Sequence, residues 1–161
     1  MRELYIQQKV FKITDHYPIV DSEGRICYQV DEGFRFFGHT VHVTRPDGSH
    51  LFTVDKEIIT WLPRFKVHFA DGRELWLRSR FAFFRKQIDI DPDRLGLRLE
   101  GNFWDRDFTV YRGDQILGSI HKGWFTWGDY YELKVIDERF EELFIAVVIA
   151  VDCIIDNEKN N

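Results

Sequence analysis

Short alternations of apolar and polar residues, broken at regular intervals by turn residues, run through most of the chain. Thr40-Val41-His42-Val43 and Phe65-Lys66-Val67-His68-Phe69 are examples. A period of two in β-branched and aromatic residues predicts strands with one buried face. Gly24, Gly48 and Gly72 fall 24 residues apart, in DSEG, RPDG and FADG, each between two alternating stretches. That pattern predicts tight hairpins in which glycine supplies a positive φ. A fourth turn is expected at Arg112-Gly113-Asp114 and a longer one from Asp91 to Gly96. Between the turns an aromatic strand, a short break and an alternating strand recur six times, at 9–20, 33–43, 57–69, 80–90, 101–111 and 123–135. Val20, Val43, Val67, Ile90, Val110 and Val135 close equivalent positions of the six copies. Two strands per copy give twelve, and sequential hairpins make the sheet antiparallel. An open sheet of that size exposes two edges, so a closed barrel is the expected arrangement.

The tail departs from this pattern. Glu138, Glu141 and Glu142 precede Leu143-Phe144-Ile145-Ala146-Val147-Val148-Ile149-Ala150-Val151. Carboxylates at a helix N-terminus oppose its positive dipole end. The segment that follows is apolar on every face, which suits a helix buried all round or one in a bilayer. Leu143 to Ile155 is interrupted by Asp152 and falls short of the ~20 residues a span requires. Twelve strands tilted ~40° give a barrel radius of roughly 12 Å, enough for one helix along the axis. The expected fold is therefore one domain over residues 1–161. A twelve-stranded antiparallel closed barrel (about 2–137) would enclose a hydrophobic C-terminal helix (about 138–156) with Leu143, Phe144, Ile145, Val147, Val148, Ile149 and Val151 at its centre.

Composition narrows the class without naming a role. Of 161 residues, 44% are hydrophobic and 30% charged, which excludes disorder, and aromatics reach 16%. Lys and Arg number 22 against 27 Asp and Glu, a net charge of −5. A general nucleic-acid binder needs the opposite sign, so no nucleic-acid partner is expected. Cys27 and Cys153 have no metal-binding spacing and are expected as two reduced thiols, with a single bridge between them as the alternative. The opening MRELYIQQKVFKIT has no apolar signal region. A cytoplasmic protein that does not cross the membrane, peripheral to it at most, is the expectation.

The order KVFKITDHYPIVDSEG, GNFWDRDFTVY, KGWFTWGDYYEL and FIAVVIAVDCIIDNE resembles the LURP-one-related family of the tubby-like superfamily, in its short single-domain bacterial form. The resemblance covers essentially the whole chain. It implies a twelve-stranded barrel around a hydrophobic C-terminal helix. Tubby domains bind phosphoinositides through basic side chains on the barrel surface, and scramblase-like relatives associate with membranes and calcium. This chain lacks their palmitoylated cysteine clusters and proline-rich extensions. What carries over is a scaffold rather than a defined function.

Candidate chemistry is sparse. Arg78, Arg80, Arg85 and Lys86 interleave with Phe81, Phe83 and Phe84 in LRSRFAFFRKQ. Such a mixture can grip anionic headgroups, and Arg78 and Arg80 share strand parity. The competing reading is an ordinary solvated face over buried phenylalanines. Asp89, Asp91, Asp93 and Glu100 match positions 1, 3, 5 and 12 of a calcium loop. Arg94 replaces the required glycine and the flanks read as strands, so a solvated acidic turn is expected and no metal is assigned. Asp152 is expected near the barrel mouth, in water or capped by a strand cation, with a proton-linked role as the alternative. Trp61, Trp104, Trp124 and Trp127 read as corner packing. His39 and His42, three apart on a strand, face opposite ways, and no HExxH, GxSxG or phosphate-loop motif occurs. The expected protein is non-enzymatic, without a cofactor. It either binds anionic phospholipid peripherally or acts as a protein- or small-ligand-interaction scaffold. A contiguous positive patch favours the first, and an even charge spread the second.

Overall fold

The structure is a computed structural model and describes residues 1–7, 16–35, 38–57, 64–80, 87–90, 95–102, 107–125 and 128–159. It is mainly β, an antiparallel sheet with one C-terminal helix. The strands are β1 (Arg2–Gln7), β2 (His16–Asp21), β3 (Ile26–Arg35), β4 (Gly38–Thr44), β5 (His50–Glu57) and β6 (Arg64–Phe69). They continue as β7 (Glu74–Arg80), β8 (Gln87–Ile90), β9 (Leu97–Asn102), β10 (Asp107–Arg112), β11 (Gln115–Phe125) and β12 (Gly128–Val135). A 3-10 turn at Glu138–Phe140 leads into helix α1 (Glu141–Lys159). Each strand pairs with its neighbours in sequence, and β1 pairs with both β12 and β2, so the order returns on itself as a barrel. The two seams of β1 are unequal. Pairs from Arg2↔Val135 to Gln7↔Tyr130 join it to β12, whereas Leu4↔Asp21 and Tyr5↔Val20 join it to β2.

The hairpin glycines explain why the chain reverses where it does. In three turns the carbonyl of a residue at or just past one strand's end (Asp21, Arg45, Phe69) accepts the amide of the glycine three positions on, and that residue's own amide donates to the carbonyl of the residue just before the next strand (Arg25, Ser49, Arg73). Gly24, Gly48 and Gly72 sit at φ of 78°, 83° and 88°, a left-handed conformation that side chains with a Cβ resist. Asp21, Asp47 and Asp71 lock the same turns by accepting the amides of Glu23, Ser49 and Arg73 at 2.8–3.0 Å. The repeat of 24 residues is thus a repeat of one turn geometry.

Alternation then fills the interior. Val41 and Val43, Phe65 and Val67, Leu75 and Leu77, Leu97 and Leu99, and Leu133 and Val135 point inward and are buried, each pair separated by one outward residue. Phe144 to Cys153, ten consecutive residues of α1, are all buried as well. Nearly three helical turns with no exposed face require protein on every side. Contacts come from around the ring: Arg2 of β1 and Tyr28 of β3 reach Glu141, Gly118 of β11 lies under the Phe144 ring, and β5 and β6 pack against the helix. A Cβ at Gly118 would come within 2.7 Å of Phe144 Cε2, so the missing side chain lets helix and wall approach.

Three expectations change, and the short helix stays as expected. The helix begins after a separate 3-10 turn and runs to Lys159. Leu143 is only half-buried, because its turn stands at the barrel mouth rather than in the lumen. Asp152 is 7% exposed and therefore not in water: the helix carries it into the interior beside Tyr17. No helix among the described residues is long and apolar enough to cross a membrane.

Candidate functional site

The helix entry builds the main polar assembly of the interior. Asp137 caps the 3-10 turn by accepting the Arg139 amide at 3.1 Å, and the Arg139 side chain beside it holds the Asp137 carboxyl below the usual range. Glu141 and Glu142 occupy the first turn of α1, where carboxylates meet the positive helix end. The Tyr28 hydroxyl donates to buried Glu141 at 2.7 Å, and Arg2 Nε lies 2.9 Å from the other carboxylate oxygen. Burial, and then the Glu141 carboxylate, push the Tyr28 phenol well above its ordinary value. Arg2 also donates to Cys27 Sγ at 3.2 Å, and Arg45 pairs with Glu142 at 2.9 Å. These contacts tie β1, β3 and the β4–β5 turn to the helix.

Beside this assembly opens a cleft of about 820 Å³. The β6–β7 hairpin (Phe69, Gly72, Arg73, Glu74, Leu75) forms one wall, the helix entry (Glu138 to Leu143) the other, and Tyr28 and Leu95 complete it. Its aromatic rings are held by cations: Arg73 Cζ lies 4.7 Å from the Phe69 centroid, and Arg112 Cζ lies 5.5 Å from that of Phe140. Sequence reading missed this cleft, since its walls come from four separate stretches of chain.

Deeper in the barrel, the Tyr17 hydroxyl donates to Glu32 at 3.3 Å. Burial and then the nearby Asp152 carboxylate raise the Tyr17 phenol well above its ordinary value. Asp152 therefore belongs to a buried polar group rather than to the solvated mouth expected from sequence.

The basic candidates divide. Arg85 and Lys86 lie outside the described residues, as do Asp91 and Asp93 of the acidic turn and Trp61, Trp104 and Trp127. Arg78 and Arg80 take alternate positions of β7, with Leu75 and Leu77 on the opposite parity. The register sets Arg78 between Arg64 of β6 and Asp89 of β8, with Glu57 beyond Arg64 and Arg98 beyond Asp89. Across five strands the row reads acid, base, base, acid, base. Arg80 is opposite Gln87. In the neighbouring row Lys66 faces Asp55 in register, contacts Glu74 at 3.0 Å and lies over the Trp76 ring. Glu100, the last residue of the calcium spacing, is held by Arg98 at 2.7 Å. Among the described residues no three metal-ligating side chains converge. His42 Nδ1 and His50 Nε2 each lie 3.1 Å from Thr53 Oγ1 on the outer surface, and His68 lies 3.3 Å from Glu74.

The architecture is an antiparallel β-sheet wrapped around a buried C-terminal helix. The sequence model of the LURP-one-related family matches residues 2–152, and the chain belongs to that family. It is 24% identical to the uncharacterised protein YxjI of Bacillus subtilis strain 168 over 160 residues, covering 99% of this chain and 98% of that protein. A crystal structure of an Arabidopsis thaliana protein has a similar fold, with a TM-score of 0.64 at 16% identity, covering 94% of this chain and 90% of the other.

Proposed function

We propose that the protein is a non-enzymatic binding module whose ligand site is the cleft at the helix entry. The carrying observation is that cleft: a concave, partly apolar space walled by a hairpin and a helix start that are themselves fixed by hydrogen bonds. The reading takes the sheet as a closed cylinder of twelve strands through its thin β1–β2 seam, which makes the walls a stable frame. The interleaved register of β5 to β9 favours this role over headgroup binding. In register, Glu57 and Asp89 interrupt the positions of Arg64, Arg78 and Arg98, so the row is not the unbroken run of basic positions that draws anionic membranes.

The test sets the two roles against each other. Protein-observed NMR with a library of small organic fragments is expected to shift resonances of Leu95, Phe140 and Leu143. Sedimentation with phosphatidylserine vesicles is expected to leave the protein in the supernatant. Salt-sensitive pelleting that Arg78→Glu with Arg80→Glu abolishes would replace this proposal with phospholipid binding.

A further inference from the structure

Resting on the cleft reading, we infer that its ligand is an uncharged, hydrophobic small molecule with aromatic or alicyclic bulk. The six charged residues described on its walls each have a counter-ion within the protein. Glu74 pairs with Lys66 at 3.0 Å, Glu138 with the N-terminal amine at 3.6 Å, Glu141 with Arg2 at 2.9 Å and Glu142 with Arg45 at 2.9 Å. Arg73 pairs with Asp71 at 2.7 Å and Arg139 with Asp137 at 2.6 Å. None of these six partners is itself on the described lining. The charge is thus closed from behind the walls, and the space in front needs none from its ligand.

Glu141 is buried with its charge met by Arg2 and Tyr28, and a charged ligand would have to break that pair or leave an unmatched ion beside it. The exposed pairs, Arg139 with Asp137 and Glu138 with the terminal amine among them, are screened by water and give a charged ligand little hold. Closed charge leaves the apolar surface to select. Tyr28, Phe69, Leu75, Leu95, Phe140 and Leu143 supply it, and Leu95, Phe140 and Leu143 are only partly covered by the chain's own packing. Tyr28 adds its ring, and its hydroxyl proton is already committed to Glu141. The volume of about 820 Å³ lies in the ~300–1,000 Å³ range of small-molecule sites.

The experiment titrates the full chain with neutral N-phenyl-1-naphthylamine and, in parallel, with anionic anilinonaphthalene sulfonate, following probe fluorescence. Saturable binding of the neutral probe is expected, with affinity changing less than about twofold on raising salt from ~0.05 to ~0.5 M. Leu143→Gln and, separately, Leu95→Gln should each weaken it roughly tenfold, the loss of one buried leucine contact. Leu95 lies outside the helix, so its variant keeps the test open should the helix variant fail to fold by circular dichroism. Salt-sensitive preference for the anionic probe, lost in the same variants, would overturn the inference and leave the cleft as a binding site. If neither probe responds to either variant, both the inference and the proposed function fail.

Discussion

The middle of the helix and its entry are built on opposite principles, although they adjoin in sequence. From Phe144 to Val151 every side chain is apolar and buried, and what holds it is loss of water contact, which has no preferred direction. At Glu141 and Glu142 the contacts are directional and individually paired: a tyrosine hydroxyl, two guanidinium groups and a capping aspartate one turn earlier. Dehydration alone would allow the helix to slide or rotate in the lumen. The entry fixes its depth and angle, and the same fixed groups form the cleft. Stability resides mostly in the middle, and position, with the candidate site, in the entry.

The most severe way to break this contrast is to place charge in the middle. Ile145, fully buried, has no polar partner in its position. Ile145→Asp should cost more than about 4 kcal/mol and leave little folded protein. Phe144→Ala should cost about 3–5 kcal/mol, since the wall at Gly118 has no side chain with which to fill the space. Chemical denaturation monitored by circular dichroism measures both.

An intermediate effect is expected at the entry. Glu141→Gln keeps an acceptor for Tyr28 but removes the charge facing Arg2, and should cost about 1–3 kcal/mol. The distinguishing result is local: amide exchange should quicken at the first turn of α1 and at the start of β1, while the β6 core stays protected. If exchange instead rises uniformly, the entry is not a positioning device separate from the core.

Much of the mainly-β plan and its helix was legible because local chemistry dictated it. Gly24, Gly48 and Gly72 announced turns that need positive φ, the strand alternation marked the inward faces, and an all-apolar helix too short for a bilayer had to be buried. Features that depend on register or tertiary assembly were not legible. Arg78 looked like part of a basic patch because Arg64, Asp89 and Glu57 are distant in sequence and adjacent only across the sheet. Asp152 looked solvated because nothing local to it reveals Tyr17 beside it. The cleft draws Tyr28, the β6–β7 turn, Leu95 and the helix entry from four parts of the chain, and no periodicity encodes such a meeting.

The smallest expected effect lies at the surface turns, where directional contacts act with partial burial at most. Asp47 has its carboxyl held below the ordinary value by hydrogen bonds from Ser49, Asp71 first by the Arg73 amide, and Asp21 and Asp137 first by the side chains of Arg25 and Arg139. A carboxyl lowered in the folded state stabilises it whenever both states are ionised. That contribution is complete above the unfolded value, near 3.8, and is lost as pH falls through the lower folded values. Thermal melts should therefore be flat in this respect above about pH 5 and decline below pH ~4. Replacing the three hairpin aspartates (Asp21, Asp47, Asp71) by asparagine should lower the melting temperature at neutral pH and flatten the acid decline. Asparagine can accept the same amide bonds, but without charge it gains nothing from ionisation. An acid decline as steep in the triple variant as in the parent would assign it instead to the remaining lowered carboxyls, Asp137 and Glu74, and the hairpin turns would not be its source.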